Sequence, residues 1–355
     1  MQLPAFLSEE CARIAPLSQK YARAAKQRLD GLSKPLGSLG RLEDLAVQMY
    51  AVQQNTPIAA RPARMFTVAA DHGVVEEGVA ASPKAVTALM VHTFLRGGAA
   101  VNALCGAAGV DFCVVDAGVD AEAFAPDPRL VNAKIARGTA NMALGPAMTR
   151  DQCERALALG ISLAEKAAGD GMRVVGTGEM GIGNTTASSA LFCAFLDFSP
   201  SEMTGMGAGM PPRGLVHKTY VIERALAKNR EALVTREPLA VLAAVGGLEI
   251  ATLVGLILGG AARQMLVMID GFIATAAFVC AQEIAPAVRD YCVFCHGSAE
   301  TGHARVLERL NVQPLLDLGM RVGEGTGAAL GMMLLDAAAR VYNEMSLLDD
   351  VGIAL

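Results

Sequence analysis

Hydrophobic positions along the chain fall into two alternating patterns. Short apolar or β-branched runs recur at Met65 to Ala69, Phe112 to Val115, Arg173 to Val175, Val241 to Val245, Met265 to Ile269 and Tyr291 to Phe294. Between most of them lie stretches of helical period, such as Ser82 to Leu95, Thr149 to Ala168 and His217 to Asn229. Strand, helix and strand repeated in this way predict an α/β fold, a parallel sheet of about six strands with helices on both faces, because a crossover helix must return the chain between parallel strands. Ahead of the first run, Cys11, Ile14, Leu17 and Tyr21 stand near helical spacing and predict an opening helix. The turn-rich stretch Lys34 to Gly40 closes it, and a second helix is predicted from Arg41 to about Gln53.

In such a sheet ligands sit beyond the carboxyl ends of the strands. The residues ending each run therefore become candidates: Asp71-His72-Gly73, Asp116-Ala117-Gly118, Gly176 to Asn184, Gly246-Gly247 and Asp270-Gly271.

Composition narrows the chemistry. The chain has 355 residues, 53% of them hydrophobic, and a net charge of -5 with its basic residues scattered, so no electrostatic footprint for nucleic acid or anionic lipid exists. Small-molecule chemistry is the expectation. The longest apolar stretch, Ile250 to Ala262, ends at Arg263 and Gln264, short of the roughly 20 residues that span a bilayer, and reads as buried core. Glu9, Glu10 and Arg13 stand where an export signal would be apolar, which predicts a cytoplasmic protein. The 8 cysteines then read as thiols rather than a disulfide framework. Cys292-Val293-Phe294-Cys295-His296 matches a covalent haem signature, but that attachment follows export. On a strand the two thiols would also face opposite ways, and only His296 and His303 could add ligands, so neither metal nor cofactor is expected.

Three glycine clusters carry the candidate chemistry. Gly176-Thr177-Gly178-Glu179-Met180-Gly181-Ile182-Gly183-Asn184 begins like a dinucleotide fingerprint and precedes a predicted helix, Thr185 to Leu196. That pattern leaves a nicotinamide-dependent oxidoreductase as one reading. The weaker reading is that main-chain N–H groups of Gly178, Gly181 and Gly183, with the helix start, face an anion while Glu179 touches a ligand. Gly205 and Gly207, ahead of a helix carrying His217 and Lys218, suit a phosphate. In Arg321-Val322-Gly323-Glu324-Gly325-Thr326-Gly327, glycines on both sides let a flat substrate reach the Glu324 carboxylate, as a general base requires.

Together these stretches, with Leu32 to Glu43, Ala70 to Val74, Gly78 to Lys84 and Asp270-Gly271-Phe272, resemble the nicotinate-nucleotide:dimethylbenzimidazole phosphoribosyltransferases, the CobT family of cobalamin synthesis. The resemblance runs through nearly the whole chain in family order. It implies a Rossmann-like core over residues 61–300, a smaller helical domain built from 1–60 and 301–355, and a homodimer. It also implies transfer of a phosphoribosyl group from nicotinate mononucleotide to 5,6-dimethylbenzimidazole, with Glu324 as general base and Glu179 as a second functional carboxylate. Ser82, Pro83 and Met90 would line the benzimidazole pocket, with Met180 and Val322 as its apolar walls. Gly178, Gly181, Gly183, Asn184, Gly205, Gly207, Lys218, Asp270 and Ser298 would hold the nucleotide and its phosphate. Met90 stands where some members carry Gln, and the Thr204 to Gly209 loop lacks an Arg that others have. A carrier that binds a flat aromatic base without catalysis is the non-enzymatic alternative.

Overall fold

A computed structural model of the chain describes residues 3–207 and 209–351. Its centre is a six-stranded parallel sheet in the order β3-β2-β1-β4-β5-β6, with β1 Ala63–Ala70, β2 Asp111–Gly118, β3 Leu130–Asn132, β4 Val174–Met180, β5 Leu266–Ile269 and β6 Cys292–Phe294. This is the doubly wound order, and its topological switch point lies between β1 and β4.

The predicted strand count holds, but its membership changes. Val241 to Val245 lies in a helix, Pro238–Val245, with Pro238 at its first position and the Glu237 carboxylate accepting from Ala240 N at 2.6 Å. Every residue of that run is buried, so helix and strand look alike in the pattern. Gly246-Gly247 accordingly follows a helix rather than a strand. The sixth strand is β3, a three-residue edge too short and too exposed to announce itself. The opening helix divides into Ala5–Cys11 and Gln19–Asp30. Pro16 interrupts it, Ser18 caps the second half, and Leu17 N donates to Asp290 Oδ2 at 2.9 Å. Arg41–Gln53 is helical as predicted.

β4 continues past Val175 to Met180 because β1 pairs with it along its whole length, Thr67 opposite Gly178 and Val68 opposite Glu179. Its glycines serve packing. A Cβ on Gly176 would stand 2.8 Å from Met65 Sδ, and one on Gly178 would collide with the Glu324 carbonyl. The apparent dinucleotide fingerprint is therefore mostly strand, and the oxidoreductase reading loses the flexible turn it needs.

The apolar stretch becomes helix Leu248–Ala262, buried along nearly its whole length against helix Arg150–Gly169. Side chains added at Gly160 or Gly255 would strike the opposing backbone, so the two axes approach closely. No helix among the described residues is long and apolar enough to cross a membrane. Both ends of the chain meet beside the sheet: Arg28 Nε donates to Tyr342 O at 2.9 Å, and Asn343 brackets Ile58 with bonds of 3.2 and 2.8 Å.

Candidate active site

At the carboxyl ends of β4, β5 and β6 a cleft of about 110 Å³ opens, lined among others by Glu179, Met180, Asp270, His296, Ser298, Arg321 and Val322. A smaller cavity of about 40 Å³ adjoins it through shared walls at Gly181, Asn184, Thr185 and Gly207, and adds Ser82 and Lys218.

Glu179, next to last on β4, is buried with its Oε2 accepting from Asn184 Nδ2 and its Oε1 filling the space above Gly323. Burial above all, with the charges of Asp270 and Glu249 behind it, pushes its carboxyl up to about 8 against the pull of the Asn184 bond. At neutral pH the free site thus holds Glu179 mainly protonated. Glu249 itself lies behind Gly181, 2.5 Å from His72 Nε2, with its other oxygen unpartnered.

Glu324 sits in three successive left-handed residues, Gly323 (φ 77°), Glu324 (φ 64°) and Gly325 (φ 101°). A non-glycine residue holds this backbone only when its surroundings enforce it. Thr67 Oγ1 donates to Glu324 O at 2.7 Å, and Asp270 receives Gly325 N at 3.2 Å and Ala328 N at 2.9 Å. The Glu324 carboxyl is buried, faces the Val101 N–H, and keeps Oε2 without a partner. It does not line either cavity. Burial raises its pKa, the Val101 bond opposes this, and the charge of Asp270 adds to the rise.

On the opposite wall Lys218 Nζ, fully buried, donates to Thr185 Oγ1 at 2.8 Å and Gly205 O at 3.1 Å. Desolvation pushes its ammonium down to about 8, against the attraction of Glu300. Gly207 N donates to Glu300 Oε1 at 3.0 Å, and Arg321 Nη1 donates to Gly207 O at 3.0 Å. Two cations thus flank this loop. The arrangement offers a polar cleft with Glu179 and Asp270 in one part and Lys218, Arg321 and Glu300 together around Gly205 and Gly207.

Residues 14–353 match the family described as Phosphoribosyltransferase. The chain belongs to that family. It is 52% identical over 342 residues to the nicotinate-nucleotide–dimethylbenzimidazole phosphoribosyltransferase of Nitratidesulfovibrio vulgaris strain DP4, covering 96% of each chain. It is 49% identical to that of Solidesulfovibrio magneticus, covering 98% of each. Among solved structures it superposes on a nicotinate-nucleotide-dimethylbenzimidazole phosphoribosyltransferase from Thermus thermophilus with a TM-score of 0.89, at 41% identity, over 96% of this chain and all of the other.

For a phosphoribosyltransferase of this family, the predicted site residues fall into three groups. Glu179, Met180, Gly181, Asn184, Gly207, Asp270, Ser298 and Val322 line the cleft, while Ser82, Gly183 and Lys218 line its neighbour. Glu324, Gly178 and Gly205 line neither cavity: Gly178 packs under the Glu324 carbonyl and Gly205 against Glu300. Pro83 is exposed and Met90 packs half-buried against the core, and neither lines these cavities. Asp270, expected as a phosphate or nucleotide contact, has both oxygens turned to the amides that hold the Glu324 loop.

Sequence reasoning missed Glu300 and the buried Glu249, which become site residues only through long-range packing, and it weighed His296 only as a metal ligand. Among the described residues no group of three His, Cys, Asp or Glu side chains is placed to hold a metal ion. Cys292 and Cys295 are buried free thiols in contact with the carbonyls of Val288 and Val293.

Proposed function

We propose that this protein transfers the 5-phosphoribosyl group of nicotinate mononucleotide to 5,6-dimethylbenzimidazole, giving α-ribazole 5′-phosphate and nicotinate for the lower-ligand nucleotide of cobalamin. One observation carries the reading: relatives near 50% identity over almost the whole chain bear this activity in their names, and the chain brings Glu179 and Glu324 together, buried, at the switch-point end of the sheet.

The chemistry follows from the substrates. The pyridine nitrogen of nicotinate mononucleotide is already cationic, so when its bond to C1′ breaks the electron pair returns to the ring and a neutral pyridine leaves. No general acid is needed. The lone pair of one benzimidazole nitrogen forms the new bond to C1′ from the opposite face, turning a β-nucleotide into an α-ribotide. The other nitrogen must then shed its proton, and Glu324 accepts it. A buried carboxylate with a raised pKa is a stronger base than an exposed one, provided it is ionised when the base arrives. Glu179, neutral in the free site, gives up its proton to solvent as the cationic pyridinium binds beside it, and its carboxylate stabilises the charge growing on ribose by electrostatics. Lys218, Gly207, Arg321 and Ser298 suit the phosphate, and Met180 and Val322 the flat rings.

The cleft is well below the roughly 300–1,000 Å³ that ligand sites usually offer. The walls of the cleft must therefore shift as the substrates enter, and the transfer reading requires that this opens a path to the unpartnered Oε2 of Glu324. The three expected segments, 1–60 and 301–355 forming a helical domain around the 61–300 core, fit the contacts between the chain ends. Residues 1, 2 and 352–355 lie outside the described part. We read the protein as a cytoplasmic homodimer by its resemblance to the family.

Mixing protein, mononucleotide and base, and following free nicotinate, tests the proposal. Release that requires the base supports transfer. Binding of the base with no release would make the protein a carrier instead.

A further inference from the structure

His296 follows β6 and is 2% exposed, yet neither ring nitrogen has a hydrogen-bond partner. Buried polar nitrogens left in this way are costly, so a native fold rarely keeps two on one ring without a use for them. The ring lines the cleft. It is clamped between two glycines: a Cβ on Gly271 would stand 2.9 Å from Nε2, and one on Gly327 would collide with Cδ2. Its nearest charged group is Asp270, whose Oδ1 lies 3.9 Å from Nε2 and already accepts from Ala328 N. By contrast His303, in the same segment, is fully engaged. It accepts from Ser298 N at 2.8 Å through Nδ1, so Nε2 carries the hydrogen toward Thr275 Oγ1 at 3.1 Å.

Resting on the phosphoribosyl-transfer reading, we propose that His296 binds a hydroxyl of the ribose ring and fixes C1′ between the two heterocycles. Charge separates this role from phosphate binding. Lys218 and Arg321 donate to the carbonyls of Gly205 and Gly207, with Glu300 beside them, while the charged group closest to His296 is Asp270, at 3.9 Å. The Asp270 carboxylate disfavours an anion at this ring. A sugar diol is matched, because each hydroxyl can donate to a carboxylate and accept from an imidazole N–H.

The test uses His296→Ala and His296→Asn with nicotinate mononucleotide, its 2′-deoxy and 3′-deoxy analogues, and nicotinate riboside, which lacks the phosphate. With the full substrate kcat/KM is expected to fall by roughly tenfold to 10²-fold. On one deoxy analogue the variant and wild type should agree within about twofold, since the contact is absent in both. On the riboside the loss should persist. Equal losses on all substrates, no loss at all, or a loss that vanishes only with the riboside would each overturn the assignment. If His296→Ala fails to fold, His296→Asn is read in the same way. Should the wild type release no nicotinate, the transfer reading fails by itself, and calorimetric binding of the same analogues still decides whether His296 meets a sugar hydroxyl.

Discussion

Two carboxyls of one site differ because their neighbours differ. Glu179 is enclosed with the charges of Asp270 and Glu249 near it, which hold it protonated up to about 8 against the one amide donor, Asn184. Glu324 meets a backbone N–H and keeps one oxygen free for a ligand proton. Glu324→Gln, isosteric but unable to accept a proton, should reduce kcat on the order of 10²-fold or more in a folded protein. Near-normal turnover would remove Glu324 as the base. The sign for Glu179 follows from linkage: unfolded, it ionises near 4.5, whereas folded it keeps its proton to about 8, so native stability drains away as pH rises between those values. Glu179→Gln should therefore raise Tm relative to wild type, by a margin that widens from about pH 5 to about pH 8 and then levels. A margin independent of pH would show that the burial is relieved some other way. Both carboxyls were legible in the sequence because an acid between glycines is conspicuous. His296 was not, since its meaning lies in missing hydrogen-bond partners and in Gly271 and Gly327, which only the fold brings to it.

At the scale of elements, glycine placement sets how closely segments meet. Gly160 and Gly255 let two helices cross with backbones in contact, and Gly178 lets the Glu324 loop rest on β4. Gly255→Val should lower Tm by many degrees, because its branched side chain has no space to occupy. A Tm close to wild type would mean that the crossing yields easily. Asp270 anchors the Glu324 loop through Gly325 N and Ala328 N. Asp270→Ala should thus cut kcat by roughly tenfold to 10²-fold while KM for the mononucleotide changes less, since a misplaced base costs rate before binding. An unchanged kcat would detach Asp270 from the loop's function. Element type was legible where periodicity survives, as in Arg41–Gln53, and lost where burial is complete, as in Val241 to Val245. β4 extends through Gly176 and Gly178 because its partners are distant in sequence, which no local pattern encodes.

For the whole molecule, the doubly wound order places the site where the sheet changes direction, and the two end segments of the chain meet at the other end of helix Thr326–Glu344 through Tyr342, Asn343 and Ile58. The order of strands could not be read from their count, and β3, the edge, could not be read at all. What the fold assembles is a two-substrate cleft in which a pyridine leaves one face of a sugar while a second heterocycle enters from the other. The most direct measurement is the anomeric configuration of the product, by proton NMR after wild-type protein has consumed both substrates. The account predicts an α-glycoside of dimethylbenzimidazole formed in equal amount with free nicotinate. A β-glycoside, or nicotinate released with no glycoside formed, would contradict it.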